Sequence, residues 1–119
     1  SSGVQLPRQL HVCRGNWTPD ESVALAGSYA PLIPALSGMR VGAYLLEACT
    51  PRAGDMELLR QLPADARIGV GVVNQKNQAV ESVDEVAERI GRAATLFGAD
   101  RLMLHPDCGF ATFADNPIC

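Results

Sequence analysis

Short apolar runs recur along the chain and are separated by longer amphipathic stretches. Four of these runs predict β-strands at residues 9–13, 41–47, 68–73 and 101–105. The third run is apolar throughout, which is typical of a strand that is buried on both faces. The alternation of strand and helix is the only repeat in the sequence.

The stretches between the strands carry the spacing and the caps of helices. Asp20 is placed to cap a helix that continues towards Leu36, and Asp55 is placed to cap a short helix after the second strand. Ser82 and Glu85 have the spacing of a capping box, which predicts a helix that ends near residue 97. The resulting order, βαβαβαβ, predicts an α/β fold with a parallel sheet and right-handed crossovers.

Four parallel strands with helices on one side leave one face of the sheet and both of its edges uncovered. This (β/α)4-like pattern is that of half of a TIM (β/α)8 barrel, and we expect residues 1–119 to form a single domain. Because unpaired strand edges favour association, we expect either a homo-oligomer or assembly with a complementary half-barrel chain.

Composition narrows the class of protein. The 119 residues are 47% hydrophobic and 19% charged, which is typical of a globular chain. The net charge of -3, without a basic stripe, excludes a nucleic-acid surface. No apolar run approaches the roughly 20 residues of a membrane span, so we expect no membrane association. The first residues lack the pattern of a signal peptide, and we therefore expect a cytoplasmic protein.

Residues that can bind a metal follow the predicted strands. His11 and Cys13 end the first strand, Glu47 ends the second, and Cys108 follows the fourth. The carboxyl ends of parallel strands meet at one rim. Residues i and i+2 of a strand point to the same side, so His11 and Cys13 can reach one ion, with Cys108 as a second thiolate. Imidazole and thiolate suit Zn²⁺, and the fourth position belongs to Glu47 or stays open for a substrate.

The cysteines, His105 and two arginines of the chain also have simpler, structural interpretations. A cysteine is often a small buried apolar residue, and Cys49 and Cys119 are best read as a packed thiol and an incidental one. His105 either caps the loop that follows it or lies behind the metal ligands. Arg14 and Arg52 either hold a substrate anion or form salt bridges within their loops.

The motifs taken in order resemble a known family. They are the sequences at 11–16 (HVCRGN), 46–54 (LEACTPRAG), 71–74 (GVVN) and 106–110 (PDCGF). Together they resemble the C-terminal catalytic domain of cobalamin-independent methionine synthase and its shorter relatives, including the zinc-dependent epoxyalkane:coenzyme M transferases. The resemblance implies that the chain is the C-terminal half of a TIM barrel.

The resemblance also implies a metal and a reaction. It assigns His11, Cys13, Glu47 and Cys108 as ligands of Zn²⁺, which binds a substrate thiol and holds it as a thiolate for attack on an alkyl carbon. The implied function is a zinc-dependent thiol alkyltransferase that methylates homocysteine or a similar thiol, with a small-molecule thiol and an alkyl donor as partners. The alternative enzyme opens an epoxide with coenzyme M. The alternative from another class is a non-catalytic zinc-binding fragment that needs a complementary half barrel.

Further residues are candidates for binding and catalysis. Arg14, Asn16 and Arg52 are candidate substrate-binding residues, and Lys76 and Asp107 are candidate catalytic residues.

The chain departs from the family in the loop after the third strand. Methionine synthases have an acid histidine there, whereas residues 74–77 read Asn-Gln-Lys-Asn. Lys76 is then a proton donor, an anion anchor or a solvated loop lysine. Most family contacts to the amino acid and folate come from segments outside this chain, so we expect the isolated chain to be inactive.

Overall fold

The sheet and its helices are seen in a computed structural model, which describes residues 6–15, 18, 20, 22, 25–50 and 56–110. The four strands are β1 (Gln9–Val12), β2 (Ala43–Leu46), β3 (Arg67–Val73) and β4 (Leu102–Pro106). The helices are α1 (Ile33–Ser37) and α2 (Val83–Phe97), with 3₁₀ turns at Ala30–Leu32 and Met56–Gln61. All four predicted strands are present, each shifted by at most a few residues at its ends.

The strands form one parallel sheet in the order β1-β2-β3-β4. In one row across the sheet, His11 pairs with Leu45, Leu45 with Gly69, and Gly69 with Met103. Within the described residues, β1 and β4 each pair with one strand only, as expected for half of a barrel. The observed fold is therefore the half TIM-barrel α/β fold that the pattern predicts.

The hydrophobic core lies between the sheet and its helices. Its sheet side is formed by alternating residues of β2 and β3, namely Tyr44, Leu46, Ile68, Val70 and Val72. Ala93 and Phe97 of α2 pack against these residues. Helix α2 begins as predicted, because the Ser82 side chain accepts from the Glu85 amide and the Glu85 carboxylate accepts from the Ser82 amide at 2.8 Å.

The opposite face of the sheet carries the rings of His11 and His105. Strands β1 and β4 would lie three spacings, or about 14 Å, apart in a flat sheet. Curvature and side-chain reach nevertheless bring the His11 ring on β1 and the His105 ring on β4 to a centroid distance of 6.3 Å. We call this surface, with His11, Leu45, Gly69 and His105, the concave face.

Among the described residues of 20–36, the predicted helix is present only at its C-terminal end. Residues 25–28 have no regular structure, and α1 covers only Ile33–Ser37. Gly27 has a φ of 135°, which is outside the helical region, and Pro31 restricts the residue before it. The Asp20 carboxylate accepts from the Ser22 amide at 2.9 Å, so this residue closes a local turn.

The short helix predicted between β2 and β3 is a 3₁₀ turn, Met56–Gln61, and its predicted cap, Asp55, lies outside the described residues. Of the helices described, none has the length and apolar character that crossing a membrane requires.

Candidate metal centre

Three side chains converge at the rim of the concave face. The ligand atoms of His11, Cys13 and Cys108 all lie within 4.8 Å of one another. His11 belongs to β1, Cys13 follows that strand directly, and Cys108 lies two residues beyond β4. The structure thus assembles the three residues whose spacing suggested a metal site, although 95 residues separate Cys13 from Cys108.

The distances between these atoms suit a tetrahedral ion. Two thiolates at about 2.3 Å from Zn²⁺, separated by a tetrahedral angle, would have sulfurs about 3.8 Å apart, and a thiolate and an imidazole nitrogen would be about 3.6 Å apart. The Cys13 and Cys108 Sγ atoms are 3.7 Å apart. Cys108 Sγ and His11 Nε2 are also 3.7 Å apart. Both distances to the Cys108 sulfur are therefore those expected between ligands of one tetrahedral metal ion.

The orientation of the His11 ring also suits metal binding. Its Nδ1 lies 3.1 Å from the Leu45 carbonyl oxygen, to which a protonated Nδ1 donates. That tautomer leaves the lone pair of Nε2 directed at Cys108 Sγ. Metal-binding histidines characteristically donate their other ring N–H to a carbonyl or carboxylate in this way.

The surroundings of the Cys108 thiol raise its pKa above the ordinary value for cysteine. Burial raises the pKa of the Cys108 thiol, the Gly109 amide lowers it, and the neighbouring Cys13 and Glu47 raise it further. Without a cation, negative charge is therefore disfavoured at Cys108. A divalent ion reverses this preference, because it stabilises the thiolate directly.

Glu47 lies beside the cluster but outside the group of three. It is 2% exposed, and its Oε2 accepts from the Arg14 amide at 3.1 Å. Its role as a fourth ligand stays a prediction.

Arg14 is held in place by its surroundings. Its guanidinium carbon lies 3.9 Å from the centroid of the Tyr29 ring, and its Nη1 donates to the Gly27 carbonyl. The Tyr29 hydroxyl donates to the Glu47 carbonyl at 3.2 Å. The predicted role of Arg14 in substrate binding stays a prediction, while Asn16 and Arg52 lie outside the described residues.

Asp107 organises the backbone next to Cys108. It is 3% exposed, and its Oδ1 accepts from the amides of Ala48 at 2.8 Å and Cys49 at 3.1 Å. Gly71 leaves the space for this carboxylate, since a Cβ there would lie 1.8 Å from Asp107 Oδ1. Asp107 thus ties the end of β2 to the loop that carries Cys108, and its predicted catalytic role stays a prediction.

Two residues of this region were not predicted as site residues. Gln75 accepts from the Cys108 amide at 3.1 Å through its Oε1 and so supports the ligand loop. Gly71 provides the room for Asp107. The sequence does indicate this space, because Gly69 and Gly71 are two positions apart and therefore both leave a gap on the same face of β3.

Lys76 is buried, at 6% exposed, so the reading of it as a solvated loop lysine is wrong. Its Nζ donates to the carbonyl of Gly15, in the loop that follows Cys13. Whether it transfers a proton or anchors an anion stays a prediction.

Two other candidates lie close to the centre. Cys49 is half-buried as expected of a packed thiol, and burial together with the charge of Asp107 raises the pKa of its thiol strongly. His105 Nδ1 lies 2.6 Å from the carbonyl oxygen of Pro106, and its buried Nε2 has no hydrogen-bond partner among the described residues.

Residues 10–117 match the family described as the catalytic domain of cobalamin-independent synthase. The chain belongs to this family. The match covers every residue of the three-membered cluster, so the candidate metal centre lies within the family's catalytic domain.

Two proteins with different named activities resemble the chain to a similar extent. A methionine synthase of Thermococcus kodakarensis is 32% identical over 107 residues, which are 90% of this chain and 28% of that protein. The 2-hydroxypropyl-CoM lyase of Xanthobacter autotrophicus is 31% identical over 125 residues, with 83% of this chain and 33% of that protein covered.

A solved structure shows the same fold. A B12-independent methionine synthase from a Shewanella species, in complex with selenomethionine, superposes with a TM-score of 0.78 at 23% identity. The superposition covers 93% of this chain and 34% of that one. The chain therefore spans about a third of the length of the family members it matches.

Proposed function

We propose that this chain is the metal-binding half of the catalytic barrel of a zinc-dependent thiol alkyltransferase, with His11, Cys13 and Cys108 as the protein ligands. The observation that carries the proposal is the convergence of one imidazole and two thiols at tetrahedral spacing. Three protein ligands that leave a position open are typical of catalytic rather than structural zinc.

The residues of the chain prepare the site in separate ways. Bound zinc would supply a Lewis acid that lowers the pKa of a substrate thiol and keeps it nucleophilic near neutral pH. His11 is oriented by the Leu45 carbonyl, and the Cys108 amide is held by Gln75. Glu47, buried beside the cluster, is proposed as a fourth ligand that gives up its place to the substrate thiol.

We propose that the thiol is homocysteine or a close analogue and that the transferred group is methyl. The similarity to a methionine synthase supports this choice. Within the same proposal, Asp107 serves catalysis by fixing the loop of Cys108, and Arg14, Asn16 and Arg52 contact the substrate.

Coenzyme M with an epoxide is the second candidate. It is favoured by the similarity to a 2-hydroxypropyl-CoM lyase and by the lack of a histidine in residues 74–77. The last candidate is a non-catalytic fragment that binds zinc and needs a complementary half barrel. It is favoured by the fact that the chain spans about a third of the length of the structure it matches.

A metal measurement tests the centre itself. The purified chain is expected to bind one equivalent of zinc, and X-ray absorption is expected to show two sulfurs and one or two nitrogen or oxygen neighbours. Cys108→Ser is expected to lose most of the affinity for zinc, because a thiolate binds zinc more strongly than a serine hydroxyl does. Cys49→Ser is the matched control, since its thiol lies outside the cluster, and it is expected to bind as tightly as the wild type. A shell of four sulfurs, or equal affinity in all three proteins, would refute the metal centre.

A pair of turnover assays tests the substrates. The chain, alone and mixed with a first half barrel from a relative, is supplied with homocysteine plus a methyl donor, and separately with coenzyme M plus epoxypropane. Product in the first assay supports the leading proposal, and product in the second assay only would replace it with epoxide opening. Zinc binding with no product in either assay, in the presence of the complementary half, would favour the non-catalytic fragment.

A further inference from the structure

Lys76 is a buried cation whose contact lies in the loop directly after the proposed metal ligand Cys13. It lies in the loop after β3, where the resemblance to methionine synthases implies a histidine acid, and it is only 6% exposed. A lysine is rarely buried to this degree without a specific partner. Its Nζ donates to the carbonyl of Gly15, which is 61 residues away in the sequence.

Gly15 is the second residue after Cys13 and contacts the sulfur of that ligand. Its amide lies 3.4 Å from Cys13 Sγ and donates to it. Gly15 has a φ of 118°, which lies in the region that favours glycine, so a residue with a side chain would be strained here. The carbonyl of Arg14, in the same peptide plane as that amide, accepts from Leu25 at 3.0 Å.

The peptide plane before Gly15 is therefore fixed by Leu25 and Cys13, and the plane after it is fixed by Lys76. Because the two planes join at the Gly15 Cα, Lys76 acts by fixing the position of Gly15 and not by polarising its amide.

We propose that Lys76 is a positioning residue for the metal ligand Cys13, acting through Gly15, and not the proton donor that replaces the family histidine. This inference rests on the proposed function only in taking Cys13 as a metal ligand. The ammonium group holds the loop so that the Gly15 amide reaches Cys13 Sγ and directs the sulfur towards Cys108 and His11. Groups that orient a ligand in this way commonly change metal affinity when they are lost.

The test measures Co²⁺ binding to the full chain in the absence of thiol and alkyl donor. Lys76→Met keeps the length of the side chain and removes its donors. We expect it to weaken Co²⁺ affinity about 10-fold or more, measured by chelator competition, and to shift the sulfur-to-cobalt charge-transfer absorption. Lys76→Arg keeps a donor, and we expect it to recover most of the affinity and the wild-type spectrum.

Arg101→Met is the matched control for folding. Arg101 is also a cation that donates to backbone carbonyls, those of Ala66 at 2.6 Å and Leu62 at 3.2 Å, but at the other end of the sheet. It is expected to lower the unfolding temperature and to leave the Co²⁺ affinity and spectrum of the folded protein unchanged.

The outcomes separate this inference from the proposed function. If Lys76→Met lowers stability as Arg101→Met does and binds Co²⁺ with wild-type affinity and spectrum, Lys76 is only structural and the inference is wrong. If Lys76→Arg is as impaired as Lys76→Met in both readouts, a donor at this position is not what matters, and the inference is again wrong. If the wild-type chain binds no Co²⁺ or Zn²⁺, the metal centre itself is wrong.

Discussion

Replacing Gly71 with alanine should disrupt the support of the metal centre without touching a ligand. A Cβ at this position would lie 1.8 Å from Asp107 Oδ1 and 2.9 Å from Asp107 Cα. The second contact is with backbone, so rotation of the Asp107 side chain alone cannot relieve the overlap. The loop that carries Cys108 must therefore move away from β3.

The size of the effect follows from the contacts that such a movement breaks. Asp107 Oδ1 accepts from the amides of Ala48 and Cys49, at 2.8 and 3.1 Å. A hydrogen bond to a charged group contributes about 1.5–3 kcal/mol, so losing both would cost about 3–6 kcal/mol. A small domain has a total stability of only about 5–15 kcal/mol. We therefore expect Gly71→Ala to lose a large part of the free energy of unfolding and to bind metal more weakly.

Urea unfolding of the metal-free chain, followed by circular dichroism, measures this change. Gly91→Ala is the matched control, because Gly91 lies in α2 and a Cβ there meets nothing within 4 Å. That variant should gain up to about 1 kcal/mol from better helix propensity. Asp107→Ala combined with Gly71→Ala should cost less than the two single changes added together. A Gly71→Ala variant that unfolds within about 0.5 kcal/mol of the wild type would refute the reasoning, since such values are ordinary for neutral surface changes.

Three further predictions follow from the buried hydroxyl, the helix cap and the shielded thiol. Burial raises the pKa of Tyr29 to about 12, so the neutral form stabilises the fold below pH 10, and this stability is lost as the pH rises from 10 to 12. Tyr29→Phe should flatten that alkaline loss in thermal unfolding, and it should cost about 1 kcal/mol at pH 7 through the bond to the Glu47 carbonyl. Ser82→Ala should lower the free energy of unfolding by about 1 kcal/mol, because the cap of α2 loses its bond to Glu85; an unchanged urea midpoint would contradict this. The raised pKa of Cys49 should make its thiol slow to react with iodoacetamide at pH 8, and peptide mass mapping would contradict this if Cys49 were modified as fast as an unfolded control.

The sequence was sufficient for the sheet because its signals there are local and repeated. Apolar runs and the capping box at Ser82 identify β1 to β4 and α2, and the order of these elements implies the parallel topology. The loop before α1 was mispredicted for a local reason too. Its apolar residues have the spacing of a helix. Gly27, with its positive φ, and Pro31, which restricts the residue before it, prevent a continuous helix there.

The ligands of the site were also predictable, but their support was not. His11, Cys13 and Cys108 could be placed at one rim from strand ends alone, since parallel topology brings those ends together. The bonds from Lys76 to Gly15 and from Gln75 to Cys108 depend on how two loops fold over one another. No spacing rule encodes such contacts, because they are set by the conformations of the loops and not by the ends of paired strands.

The convergence of β1 and β4 on the concave face gives the centre a mechanical meaning as well as a chemical one. An ion held by Cys13 and Cys108 would cross-link the two outermost strands and close a loop of 95 residues. By the relation used for disulfides, a closure of this length removes about 4–5 kcal/mol of conformational freedom from the unfolded chain. Sheet curvature and ion occupancy then become linked quantities. A chain that docks on the concave face and holds β1 and β4 at their present separation would strengthen ion binding, and the ion would strengthen docking by the same factor.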